Sequence, residues 1–185
     1  MGLMSTKFVR LLGVAVFLAL LAIAQSIPPG LGQGWMPEFN HAASQLNQLS
    51  DAIPAEKFSW RPGPGVRSVS EVFMHVAIGN YFFLEQAGIK VSGLAPSLLP
   101  PDTKITAETE KSVTDKAKVI EWLKRSQGAV RASYPKAEMQ KKTKFLGHDT
   151  DVEGVFLRIL VHNHEHMGQM IAYARMNGVV PPWSN

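Results

Sequence analysis

The 185-residue chain has no cysteine, which excludes disulfide staples, thiol nucleophiles and thiolate metal sites. It has no twin arginine ahead of its apolar start, so export as an unfolded thread is the simpler expectation. The zinc-protease pattern HExxH is missing, because Gly168 stands where the second histidine after His164-Glu165 would fall. No internal repeat and no convincing pair of strands is legible. Charged residues make up only 18% against 45% hydrophobic. That is an ordinary globular balance, and the length suits one domain.

Among what is present, the N-terminus comes first. Lys7 and Arg10 precede Leu11–Ala24, an uncharged stretch shorter than the roughly 20 residues a bilayer span needs. It ends in Ala22-Ile23-Ala24. Basic start, short apolar run and a small-x-small site describe a secretory signal peptide over residues 1–24. An uncleaved membrane anchor is the alternative. Cleavage would remove Lys7 and Arg10 and lower the net charge from +4 to +2. The apparent basicity then gives little support to nucleic-acid binding. The expected product is periplasmic or secreted, without a stable membrane anchor.

Residues 25–34 are rich in Gly and Pro and read as a flexible leader, with the domain at 35–185. Phe39, Ala42, Leu46, Leu49 and Ile53 recur at helical spacing behind Pro37, and Pro54 ends the run. Residues 60–67 form a loop. Ser68-Val69-Ser70-Glu71 is a capping box opening a second helix, with Gly88 as its stop. Residues 89–111 read as a long connection. A third helix starts near Ser112–Asp115 and stops before Pro135. The lysine-rich stretch 136–148 is expected to be a solvated loop or short hairpin. Thr150-Asp151-Val152-Glu153 reads as a third capping box, and Asn177-Gly178 ends the last helix. Four helices with one long connection indicate an all-α four-helix bundle.

The histidines carry the chemistry. His162 and His166 differ by about 40° in azimuth and about 6 Å along a helix, so both can reach one ion. They share a face with Ile159 and Met170 and so point into the core, whereas His164 points away. Adjacent buried imidazoles are costly unless hydrogen-bonded or metal-bound. His75 lies mid-helix at an inward azimuth and could complete a facial set of three. Three imidazoles leave coordination positions open, which suits catalysis more than a structural role. Zinc, nickel and ferrous iron all accept such ligands. Glu71 and Glu165 are the nearest carboxylates in sequence, but Glu71 fits a cap and Glu165 points off the face. Trp60, Tyr81, Tyr173 and Arg175 are candidate pocket residues, although core packing explains the aromatics equally well.

The segment from Trp60-Arg61-Pro62 through Gly65-Val66-Arg67-Ser68, with Glu71 and His75-Val76, resembles the second-helix region of the DinB/YfiT-like family. HNHEHMGQMIAYARMNGVVPP, residues 162–182, is similar to that family's last helix and tail. The resemblance implies an up-down-down-up bundle and a divalent metal on three histidines, here His75, His162 and His166. It also implies a reaction class, transfer of a small group to a low-molecular-weight thiol such as bacillithiol or mycothiol, or to water, and a homodimer. The signal peptide departs from that pattern, because such thiols are chiefly cytosolic. The sequence therefore leads to an exported metal-dependent enzyme acting on a small molecule. A bundle that binds metal or a small ligand without turnover is the alternative, and a helical interaction domain with metal-free core histidines is a third. No catalytic acid or base can be named.

Overall fold

The computed structural model describes residues 31–90 and 107–184. The expected signal peptide, residues 1–24, and most of the expected leader fall outside the described residues. Leader residues 31–34 are exposed. Among the described residues, no helix is long and apolar enough to cross a membrane.

Helix α1 spans Trp35–Ala52. Its apolar positions Phe39, Ala42, Leu46 and Leu49, with Ile53 just beyond, are all fully buried. A 3-10 turn, Ala55–Lys57, follows Pro54. Helix α2, Val69–Gln86, opens on the expected box: Ser68 Oγ accepts from Glu71 N, and Ser68 N donates to Glu71 Oε2 at 2.8 Å. Gly88, at φ +77°, ends it in a left-handed conformation that only glycine adopts without cost.

Part of the expected connection is helical, since α3 covers Ala107–Ser112. Ser112 therefore closes α3 instead of capping the next helix. Asp115 caps α4, Lys116–Ser133, by accepting from Lys118 N. The cap of α5, Val152–Met176, is likewise one residue later than Thr150 suggested: Asp151 Oδ1 accepts from Gly154 N at 3.0 Å. Asx side chains reach the backbone as readily as Ser or Thr, so adjacent candidates cannot be ranked by type alone.

Of the two alternatives for the lysine-rich stretch, loop or short hairpin, it is the hairpin, and its second strand runs on to Asp151, past the expected end at 148. Strand β1, Lys142–Phe145, runs antiparallel to β2, His148–Asp151, around Leu146-Gly147. Apolar alternation is absent, which is why the pairing is not legible. Lys142–Asp151 and Lys144–Asp149 ion pairs at 3.2 and 2.7 Å face each other across the ladder instead. These pairs also satisfy two of the lysines that a nucleic-acid surface would need.

Contacts between helix ends give the topology. Lys116, at the start of α4, donates to Ile53 O at the end of α1. Arg131, near the end of α4, reaches Asn40 near the start of α1. Lys116 also lies over the ring of Phe58, whose carbonyl accepts from Ser70 N, so α2 and α4 start together. Trp35 Nε1 donates to Phe156 O, which aligns α1 with α5. Tyr173 near the end of α5 donates to Arg67 O just before α2. The order is up-down-down-up, and the connection between the parallel α2 and α4 is the long crossover. In the core, Asn163 donates to Asn80, which donates to Ser126, tying α5, α2 and α4 in one register.

Candidate metal centre

The loop before α2 is tied down by charge. Arg61 forks onto both oxygens of Glu71, at 2.9 and 3.2 Å. Burial would raise the Glu71 carboxyl, but the Arg61 guanidinium and the Ser68 N–H outweigh it and hold it below its ordinary value. Glu71 is thus a cap and loop anchor. Two turns into α2, His75 points inward, and α5 presents His162 and His166 opposite it. Their ring centroids lie 4.5 to 5.0 Å apart. One nitrogen from each ring lies within 4.8 Å of the others.

Gly79, one turn beyond His75, makes room for His162. A Cβ there would sit 2.5 Å from His162 Cε1. Phe83 closes the next turn with its ring edge-on to His162 at 5.0 Å. His162 is 4% exposed and His166 9%. His164 projects elsewhere, with Nδ1 against Leu160 O at 3.0 Å, as its azimuth implies.

The hydrogen bonds fix two tautomers. Tyr173 must donate to Arg67 O, because a carbonyl only accepts. Its oxygen then accepts from Gln169 Nε2 at 3.0 Å, which turns Gln169 Oε1 toward His166 Nδ1 at 2.8 Å. His166 Nδ1 therefore carries the proton, and its Nε2 keeps a lone pair. Glu110 Oε2 accepts from His75 Nδ1 at 3.0 Å, with the same consequence, while Glu110 Oε1 accepts from Arg67 Nε. A carboxylate behind a ligand imidazole raises its basicity and fixes its orientation.

This donor set fits a divalent cation. His75 Nε2 and His162 Nε2 stand 3.2 Å apart. Two imidazole nitrogens on a tetrahedral zinc stand about 3.3 Å apart. Without a cation the same contact is a hydrogen bond, His162 Nε2–H donating to the free Nε2 of His75, and His162 Nδ1 is buried with no protein partner. Burial, then the positive charges of His166 and His75, push His162 down to about 3. Burial and Arg67 also lower His75 against the opposing pull of Glu110. His162 is accordingly neutral at pH 7 and gives up no proton to a metal.

A pH prediction follows for chelator-treated protein. Folded His162 titrates near 3 and an unfolded histidine near 6.5, so between these values the unfolded chain binds more protons. Stability should be level above about pH 7 and fall on acidification through that window. This one ring contributes up to about 1.4 kcal/mol per pH unit. Thermal melts across pH should show the slope, and His162→Gln should flatten it.

Beside the histidines lies a pocket of about 590 Å³, lined by the apolar Phe82, Phe145 and Leu146 and by the charged Arg67, Arg158 and Glu110. A second pocket, of about 620 Å³, opens beyond Arg67 and Glu110 toward Arg61 and Lys111. Trp60 and Tyr173 pack edge to face at 5.4 Å, and Tyr81 packs on Trp122, so these aromatics belong to the core. Arg175 is exposed on the last turn of α5. Glu165 pairs outward with Arg158 at 2.9 Å. The carboxylate that does reach the site is Glu110. Its place in a stretch read as a connection hid it.

An up-down-down-up bundle with three inward histidines that can hold a metal ion defines a recognisable class. The DinB superfamily model matches residues 38–170, and the chain belongs to that superfamily. Two crystal structures share the fold. A DinB-like protein from Bacillus cereus is 17% identical, with a TM-score of 0.63 over 83% of this chain and 97% of that one. A DinB-like protein from Bacillus subtilis is 13% identical, with a TM-score of 0.54 over 76% and 90%. No protein of curated function matches the chain.

Proposed function

We propose that the protein is an exported metalloenzyme in which His75, His162 and His166 hold one divalent cation, zinc before nickel or iron. The reaction is transfer of a small group to a thiol or to water. The supporting observation is the geometry of two α5 imidazoles and one from α2, whose nitrogens converge beside a pocket of about 590 Å³. A cation there supplies Lewis acidity, lowering the pKa of a thiol or water that reaches it. The protein orients the rings of His75 and His166 through Glu110 and Gln169, keeps His162 and His75 neutral by burial, and lines the pocket with aromatic side chains. The basic start and the Ala22-Ile23-Ala24 site support export, and an exported member needs a thiol available outside the cytosol, or water. A small molecule is the expected partner, not nucleic acid. Homodimerisation is carried over from the family resemblance.

The test is metal content followed by turnover. Mature protein should bind close to one zinc per chain and act on thiol–electrophile pairs, or on esters and amides. Protein that refuses both zinc and nickel ends the proposal. One observation favours the non-catalytic reading: both oxygens of Glu110 are engaged, by Arg67 and His75, which leaves it poorly placed as a general base. A fully loaded sample inert toward every class of substrate would select that reading.

Glu110→Gln should separate positioning from ligation. The amide keeps the shape but cannot match the carboxylate's pull on His75 Nδ1–H. Zinc affinity should fall by about 10- to 100-fold, the usual cost of losing such an outer partner. Competition titration against a chromophoric chelator measures it.

A further inference from the structure

The hairpin tip breaks a local rule beside the candidate metal centre. Leu146 adopts φ +50° as the first residue of a two-residue turn, followed by Gly147 at +87°. Turns of this kind take Asn or Asp first, because a branched apolar side chain in the left-handed region is strained. Leu146 is also 65% exposed, so core burial does not account for it. What it does is line the pocket beside Phe82, itself 37% exposed, and Phe145. The same pocket is also lined by Arg67 and Arg158, with one carboxylate, Glu110. A divalent cation on neutral imidazoles adds two further positive charges.

Resting on the metalloenzyme reading above, we infer that the substrate is a small anion bearing an apolar aryl or acyl group. Leu146, Phe82 and Phe145 hold the apolar part, and Arg158 receives the acidic group near the metal. Leu146 is a specificity residue, kept at the turn at the expense of local backbone strain. Arg158 is suited to the second role because it stands one turn before His162 on α5, and among the described residues its guanidinium is bonded through Nη2 to Glu165 alone.

The experiment uses two fluorescent probes that share their rings and differ in charge: anilinonaphthalene sulfonate and neutral phenylnaphthylamine. Each is titrated into the mature protein with zinc and again with chelator. Wild type should bind both. Leu146→Asn should weaken both by about fivefold to tenfold while raising Tm by about 2–4 °C, because asparagine suits the turn. Leu146→Ala should weaken both without the gain in Tm. Arg158→Gln should weaken the sulfonate by about tenfold and leave the neutral probe unchanged. The inference is overturned if wild type binds neither probe, if both Leu146 variants bind like wild type, or if Arg158→Gln does not discriminate. Probe discrimination that persists in chelator, in protein that binds no zinc, would sink the metal reading alone.

Discussion

Replacing His166 with alanine is expected to take the protein from close to one zinc per chain to none retained through gel filtration. The other two rings remain in place, but a third of the donor set is gone. The loss should exceed the roughly 10- to 100-fold that accompanies removal of an outer partner. Stability reports the same event independently. A ligand that binds only the folded state at a thousand times its Kd adds about 4 kcal/mol. For a domain of this size that is about 8–16 °C in Tm. Zinc should therefore raise the wild-type melting temperature by that amount and leave His166→Ala unmoved. His164→Ala is the matched control. That ring lies two residues away, yet bonds to Leu160 O and faces away from the cluster. It should keep both the zinc and the shift. Equal responses from the two variants would mean that the metal is held elsewhere.

The contrast between His164 and its neighbours was legible because helical periodicity is a strong rule. At about 100° per residue, His162 and His166 share an azimuth and His164 opposes it. The fold was readable for the same reason. Buried positions such as Leu46, Val76 and Ile159 recur at helix spacing, and capping residues and glycines punctuate the chain. Gln169 was within reach too, at i+3 from His166, since such positions face each other on a helix. Glu110 was not. It meets His75 across 35 residues, and periodicity says nothing about where a long connection returns. The strand pairing within the hairpin, which could only be offered as an alternative to a loop, was obscured for a related reason. Its strands pair through charges on a solvated face, so the alternation that normally betrays a strand is missing. Local rules thus gave the helices and the ligand faces. The residues that tune the ligands depend on chain crossings, which are set only when the bundle closes.

Gly79 lies between these cases, and Gly79→Ala is the second large effect. In an exposed helix interior the change should stabilise by about 1 kcal/mol, because alanine loses less backbone entropy on folding. Here the new Cβ would meet His162 Cε1 at 2.5 Å, with Nδ1 at 3.1 Å and Nε2 at 3.3 Å. The ring is 4% exposed and packs edge-on to Phe83, so giving way means leaving that contact. Overpacking of this kind costs about 1–3 kcal/mol, which outweighs the propensity gain. The displaced ring should also carry its nitrogen away from His75, so zinc should be lost together with stability. The decisive measurement is the double-mutant cycle. With His162 already alanine the obstruction is absent, and Gly79→Ala should then stabilise the chelator-treated protein. A substitution that destabilises in one background and stabilises in the other reports direct contact between the two residues. If it destabilises equally in both, the glycine serves the backbone of α2, and the seat of His162 is made by something else.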